Sequence, residues 1–358
     1  MTFKTQFDRA GTEPCTVSII IKALNEEKNI CAAIESSLAA VAKVGGEVVL
    51  ADSCSSDRTV ELASKYPIRV VQFAHASERC CGAAPQLGYQ HARGEYVYIL
   101  DGDMRMAEGF LEEAVHFLAQ HPEVGGVSGK LIELNTKSVE YRERALRNHV
   151  HLQPGEVDRL DGGGLYRRLA IEETGFFSDR NLHSYEEFDV GARLRSLGWK
   201  LWRLPIASCS HYGHDSPPYQ LLQRRWRSKY VCGIGELVRG ALGQPHSKLV
   251  LRGLKELKLY CAVLVWWAVL ASTAFWPLSL VDRAAMFAII AAFPFAVMAW
   301  RKRSVSRAMY SVVSWSFNAA GMVKGFLRPR RGPRTRIASV VLHEPAQTVE
   351  TVRRQRIA

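Results

Sequence analysis

Up to about residue 205, short apolar runs rich in β-branched residues alternate with stretches whose apolar positions recur at helical spacing. Residues 17–21, 47–51, 69–73 and 96–100 read as buried strands, and 26–44, 58–65, 78–91 and 107–120 as the helices between them. A strand that returns to its own sheet through a helix does so as a right-handed crossover, so this rhythm predicts an α/β domain around a mostly parallel sheet. Ligands of such domains gather at the C-terminal edge of the strands.

Beyond residue 245 the pattern changes. Residues 259–281 are 23 consecutive positions without a formal charge, including Trp266, Trp267 and Trp276. At about 1.5 Å per residue that is enough to cross a bilayer. After a short break at Asp282 and Arg283, residues 284–300 form a second uncharged run of 17, interrupted by Pro294. Two such helices make a hairpin. Basic clusters before the first (Arg252, Lys255, Lys258) and after the second (Arg301, Lys302, Arg303) put both ends in the cytosol. A third apolar stretch, 309–327, is diluted by Ser and Asn and contains Lys324, and is expected to lie in the interface or to span. The chain thus divides into an N-terminal extension (1–14), a globular domain (15–245) with a basic interfacial helix near 219–242, a membrane segment (246–327) and a basic tail (328–358). That tail, with Arg328, Arg330, Arg331, Arg334, Arg336, Arg353, Arg354 and Arg356, reads as a mobile arm for anionic headgroups or as a solvated tail. A soluble helical bundle is the competing arrangement for 246–327.

Composition sharpens this division. With 47% hydrophobic and 23% charged residues, disorder is excluded for most of the chain. Residues 219–358 carry 23 basic and 5 acidic side chains, whereas the first 218 carry 24 and 30. The asymmetry points to a polyanionic partner surface. The basic groups adjoin apolar runs and no nucleic-acid-binding motif accompanies them, so a membrane, not nucleic acid, is expected. The cysteines (Cys15, Cys31, Cys54, Cys80, Cys81, Cys209, Cys232, Cys261) form no CxxC pair and show no zinc spacing, and residues 1–14 are too polar for a leader. Reduced thiols in a cytosolic compartment follow.

Candidate chemistry sits at the strand ends. Asp101-Gly102-Asp103 follows directly on strand 96–100, and two carboxylates there suit Mg²⁺ or Mn²⁺ bridging to nucleotide phosphates, or form an ordinary turn. Asp52 ends another strand and opens the Ser- and Asp-rich run to Thr59, where a helix N-terminus can hold ribose or base groups or is simply capped by Ser56 or Asp57. Asn25 and Glu26 occupy a third strand-to-helix junction, Asn25 as a ligand or as a cap. Glu186, Glu187 and Asp189 either carry catalysis or complement the dipole of a helix they begin.

At these residues the sequence resembles the family 2 glycosyltransferases, inverting enzymes of the GT-A fold, a Rossmann-like α/β architecture. The match runs through Lys22-Ala23-Leu24-Asn25-Glu26, with Lys22 where the family usually has proline, and through Asp52 to Thr59, with Cys54 where glycine is common. It continues through Gly88, Ala92-Arg93-Gly94-Glu95-Tyr96 and Asp101-Gly102-Asp103. Downstream, Asp161-Gly162-Gly163-Gly164 and Glu173-Thr174-Gly175-Phe176-Phe177 precede Ser184-Tyr185-Glu186-Glu187-Phe188-Asp189, whose Glu187 aligns with the family's general base, usually Asp. The resemblance implies that Asn25, Glu26, Asp52, Arg79, Asp101 and Gly163 contact the nucleotide sugar. It likewise implies that Asp103, with Asp101 and His211, binds the metal; His211 and His214 read otherwise as surface or hydrogen-bonded histidines. Gln223-Arg224-Arg225-Trp226 is similar to the Gln-x-x-Arg-Trp motif of processive polymer synthases, but Leu222 stands where that glutamine should be. This argues against processivity and leaves Arg225 and Trp226 to face the diphosphate or acceptor, or lipid phosphates.

The resemblance covers about residues 15–230. It implies a transferase of the cytoplasmic membrane, facing the cytosol, that moves sugar from a UDP-, GDP- or dTDP-sugar to a polyprenyl-diphosphate-linked saccharide in polysaccharide synthesis. A polyprenyl-phosphate glycosyltransferase and a non-catalytic membrane-anchored scaffold are the rival readings.

Overall fold

The structure, a computed structural model, describes residues 16–134, 152–213 and 217–345. The expectations for residues 1–14, Cys15, His214, Arg353, Arg354 and Arg356 lie outside the described residues.

Strands β1 (Val17–Ala23), β2 (Gly46–Asp52), β3 (Arg69–Phe73) and β4 (Tyr96–Asp101) pair in parallel in the order β3-β2-β1-β4. They lack polar alternation because both faces are covered. Ile19, Ile21 and Leu50 pack under α1 (Ile30–Val44) and α4 (Phe110–Gln120), while Ile20, Val49 and Val71 pack under α3 (Ala83–Tyr89). The short α2 (Thr59–Ala63) follows β2.

Beyond β4 the sheet becomes mixed, so the parallel expectation holds for its N-terminal half. β8 (Gly164–Arg167) is antiparallel to β4, β6 (Val124–Glu133) is antiparallel to β8, and β9 (Lys200–His211) is parallel to β6. β5 (Met104–Met106) and β7 (Gly155–Val157) are antiparallel to β9. Helices α5 (Arg168–Thr174) and α6 (Glu186–Ser196) lie between β8 and β9 in the chain.

The helix expected near 219–242 is two helices, α7 (Pro218–Arg227) and α8 (Gly233–Ala241), separated where Lys229 takes a left-handed φ of 65°. After α9 (Ser247–Gly253) come α10 (Lys255–Ser272), α11 (Leu280–Lys302) and α12 (Val305–Leu327). Residues Lys255–Phe275 and Leu280–Lys302 are, by length and composition, long and apolar enough to cross a membrane. Most of their apolar side chains are exposed, Phe275, Val281 and Trp300 among them. Pro294 has no N–H to offer the Ile290 carbonyl one turn earlier, and the indole Nε1 of Trp266 donates to that oxygen instead, at 2.9 Å. One hydrogen bond thereby repairs α11 and ties it to α10.

The third apolar stretch, α12, is docked against the globular domain. A Cβ at Gly321 or Gly325 would lie 2.5 or 2.1 Å from the carbonyl oxygens of Val231 and Cys232, so only glycine allows this approach. Residues 328–345 also depart from expectation, for they are folded onto the domain. Arg328 pairs with Glu236 at 3.1 Å, Arg330 with Asp179 and Arg331 with Glu78. Ile337 is fully buried, β10 (Ser339–His343) adds antiparallel to β3, and Glu344 meets Arg69 at 2.9 Å. Arg328, Arg330 and Arg331, which read as part of a free arm, face carboxylates of their own chain.

Candidate functional site

Strands β1, β2 and β4 end together, with Ala23 beside Asp52 and Lys22 beside Asp101, so the loops that follow deliver their polar groups to one rim. A cleft of about 660 Å³ opens there. Glu26, Ser53, Arg79, Asp101 and Asp103 line its sheet side, and Arg224, Arg227, Lys229 and Tyr230 its other side. Its size falls among small-molecule sites, on the order of 300–1,000 Å³.

Not every acidic residue of this edge faces the cleft. Asp52 is fully buried and accepts from the Ser55 amide at 2.9 Å, the Ser55 hydroxyl at 2.5 Å and Gln72 Nε2 at 2.8 Å. Asn25, at φ 59°, accepts from the Ser56 amide at 2.8 Å, while its own amide donates to Ser55 Oγ at 2.9 Å. Both build the loop wall; Asn25 holds the loop that leads to α2 and does not cap α1, whose N-cap is Asn29. Glu26 does line the cleft. Burial, then the charge of Asp103, raises its pKa to about 7 against the lowering hydrogen bond from Asn29.

Asp103 faces the imidazole of His211, which β9 brings opposite Met104. His211 Nε2 is 3.2 Å from Asp103 Oδ2, and Nδ1 is 2.6 Å from Glu133 Oε2. Burial disfavours the imidazolium, but its hydrogen bonds to Asp103 and Glu133 outweigh that and raise the pKa to about 9. Glu133 was not singled out in the sequence; it pairs with His211 across β6 and β9. A carboxylate behind a histidine that faces a second carboxylate is the way ligating histidines are oriented. Among the described residues no three His, Cys, Asp or Glu side chains form a metal cage. Asp103 and His211 nevertheless fit a hard cation of the kind that keeps few protein ligands and takes the rest from phosphates.

Asp101 is engaged differently. Lys22 Nζ lies 3.0 Å from Asp101 Oδ1 and 3.3 Å from Glu186 Oε1, so a cation of the chain itself occupies one carboxylate oxygen of the expected metal pair. Glu187, in the first turn of α6, shares a small pocket with Lys22, Gly164, Tyr166 and Glu186. Burial, followed by Asp161 and Glu186, holds its pKa well above the carboxylate range, and Lys22 counteracts them.

Three expected ligands are placed elsewhere. Gly163, at φ 94°, lies in the core, where a Cβ would come 2.7 Å from the Tyr98 hydroxyl, and its carbonyl accepts from Ser128 Oγ. Arg225 and Trp226 are turned from the cleft because α7 presents Arg224 and Arg227, three residues apart, on its cleft-facing side. Arg225 stacks over Tyr230 at 5.4 Å. Trp226 meets Phe317 edge-on at 5.5 Å and lines a groove of about 800 Å³ with Tyr219, Leu222, Trp267 and Phe317. Arg227 lines both groove and cleft.

The family described as Glycosyl transferase family 2 matches residues 18–175. The putative glycosyltransferase EpsE of Bacillus subtilis is 30% identical over 201 residues, which are 53% of this chain and 70% of that protein. An undecaprenyl-phosphate 4-deoxy-4-formamido-L-arabinose transferase of Pectobacterium carotovorum is 32% identical over 119 residues, 31% of this chain and 36% of that one. Several of the curated relatives are matched over roughly a third of their length. Mannosyltransferase PcManGT from Pyrobaculum calidifontis, solved with GDP-Man and Mn²⁺, shares the fold with a TM-score of 0.58 at 22% identity, over 90% of this chain and 91% of that one. The cleft at the strand ends, the acidic residues around it and these matches agree, and the chain belongs to glycosyl transferase family 2.

Proposed function

We propose that the protein is an inverting, membrane-anchored glycosyltransferase that passes a sugar from a nucleotide sugar to a lipid-linked acceptor. The observation that carries this reading is the junction at Arg227, where the polar cleft abuts the apolar groove between α7, α10 and α12. A ligand with a hydrocarbon chain and an anionic head has a surface for each part there. The exposed apolar side chains of α10 and α11 supply the bilayer anchor that would hold the cleft beside such acceptors.

The nucleotide diphosphate lies between Asp101 and Asp103 on one side and Arg224 and Arg227 on the other. Asp103 and His211 are the residues that would hold a divalent cation, Mg²⁺ or Mn²⁺, and such a cation would supply neutralisation of the charge on the leaving diphosphate. Glu187 accepts the proton of the acceptor hydroxyl while the hydroxyl oxygen bonds to the anomeric carbon and the bond to the diphosphate breaks on the opposite face. The arginines carry part of the charge that appears on the leaving group.

A second reading, transfer directly to a polyprenyl phosphate, is favoured by the cations Arg224, Arg227 and Lys229 at the cleft wall. A phosphate acceptor is already ionised and needs no base. Nucleoside diphosphate release from UDP-, GDP- and dTDP-sugars, with Mg²⁺ or Mn²⁺ and membrane lipid extract, tests both. Release with one donor, lost in Asp103→Ala and Glu187→Gln, supports the hydroxyl acceptor. Release that survives Glu187→Gln moves the acceptor to the lipid phosphate, and no release with any donor overturns both.

A further inference from the structure

Lys22 stands at a position the transfer scheme does not use. It belongs to β1 and is in register with Asp101 of β4, so the sheet places the two side chains next to one another. From the other direction α6 brings Glu186, and the ammonium lies 3.0 Å from Asp101 and 3.3 Å from Glu186. The same side chain lines both the 660 Å³ cleft and the small pocket that contains Glu187. It is thus the one group described above that borders the donor side and the base side together.

We propose that Lys22 is a positioning residue for the transfer, a fixed internal cation that ties Asp101 of the donor cleft to Glu186 and thereby seats the first turn of α6, with Glu187 in it. The inference rests on the transferase reading, which it deepens by naming what aligns its two halves.

The physical case has three parts. Asp101 and Glu186 share one cation; the Lys22 and Glu186 side chains are only 17% and 13% exposed while Asp101, at 37%, opens to the cleft, and without that cation the two carboxylates would repel across the junction. Burial disfavours the charge of Lys22, yet Asp101, Glu186 and Glu187 more than compensate and hold its pKa well above that of free lysine. The turn it would seat is entered through Tyr185 in a left-handed conformation, φ 66°, and its first backbone bond, from the Asp189 amide to the Tyr185 carbonyl, depends on that entry. A displaced first turn would carry Glu187 with it.

The test compares full-length wild type, Lys22→Met, Lys22→Arg, Glu186→Gln and the Lys22→Met/Glu186→Gln double variant, each in detergent. Amide hydrogen exchange across Glu186–Val190 should accelerate about tenfold in Lys22→Met and return towards wild type in Lys22→Arg and in the double variant, where the repulsion has gone. Nucleoside diphosphate release should fall roughly 10²-fold in kcat in Lys22→Met, with the donor KM nearly unchanged, and recover in the same two variants. Unchanged exchange in Lys22→Met overturns the proposal. A uniform loss of thermal stability without a kcat effect, or a double variant no better than Lys22→Met, does so too. The exchange readout needs no turnover, so a wild type that releases nothing from any donor removes the transferase reading while the exchange comparison still decides the role of Lys22.

Discussion

Gln90 and Ile337 are joined by two hydrogen bonds, the Ile337 amide donating to Gln90 Oε1 at 2.8 Å and Gln90 Nε2 donating to the Ile337 carbonyl at 3.1 Å. The amide side chain thus pairs with a single residue of the C-terminal segment as a neighbouring strand would, just before β10 begins. Ile337→Ala removes a fully buried side chain and is expected to destabilise the chain by about 3 kcal/mol, whereas Gln90→Leu strands two backbone groups at about 1–3 kcal/mol each. Thermal unfolding of the full chain checks both, and values near wild type would show that the segment is not part of the domain's folded unit.

The bond from Trp266 to the Ile290 carbonyl predicts a non-additive pair. Trp266→Phe leaves that oxygen without a donor and should cost about 1 kcal/mol. Pro294→Ala restores an N–H within α11, so the same Trp266→Phe change made on that background should cost clearly less. Melting temperatures of the four proteins in one detergent measure the coupling, and additive losses would remove the compensation argument.

The parallel half of the sheet was legible in the sequence because strands covered on both faces are short, apolar and bounded by polar turns, as β1, β2, β3 and β4 are. The cleft acids Glu26, Asp101 and Asp103 were legible because they follow strand ends. What escaped notice has physical reasons. The phase of α7 depends on where the helix begins, so Arg225 and Trp226 could be named while Arg224 and Arg227 face the cleft. Glu133 serves His211 from 78 positions away through a strand pairing that no local pattern encodes. Arg328, Arg330 and Arg331 look like part of a free basic arm until their carboxylate partners, Glu236, Asp179 and Glu78, are brought to them by the fold.

The facing of α7 gives a direct comparison. Arg227→Ala should raise KM for donor and lipid acceptor by roughly tenfold, the scale of a charge-assisted contact, while Arg225→Ala changes either by less than about threefold. Trp226→Ala should weaken long-chain acceptors more than short-chain ones, because its ring walls the apolar groove. Steady-state kinetics with acceptors of two chain lengths separates these outcomes, and equal effects of the two arginine variants would contradict the assigned face.

As the base of the proposed transfer, Glu187 works only when ionised. Its pKa is raised by burial and then by Asp161, so kcat/KM should climb with pH through that raised value and be lost as pH falls below it, at a higher pH than for an ordinary carboxylate. Asp161→Asn removes one raising charge and should move the acidic limb to lower pH. A pH–rate profile for the two proteins measures the shift, and coincident limbs would argue against Glu187 as the titrating group.

Glu133 reaches the proposed cation through His211. Glu133→Gln should therefore weaken Mn²⁺ binding by roughly 10- to 100-fold and leave the protein folded. Calorimetric titration of Mn²⁺ into both proteins in the presence of nucleoside diphosphate reads this directly, and equal affinities would remove Glu133 from the site.

β10 joins β3 only after both long apolar helices and α12 have been made, and Arg69, already beside Glu47 and the His91 carbonyl, gains Glu344 from 275 positions later in the chain. During biosynthesis the β3 edge of the sheet is therefore open, a template for wrong pairing, until the chain has come back. Completion of the sheet is coupled in time to synthesis of the two long apolar helices and α12. A chain stalled or cut between α10 and α12 presents an unfinished β-edge, a ready template for pairing with another chain.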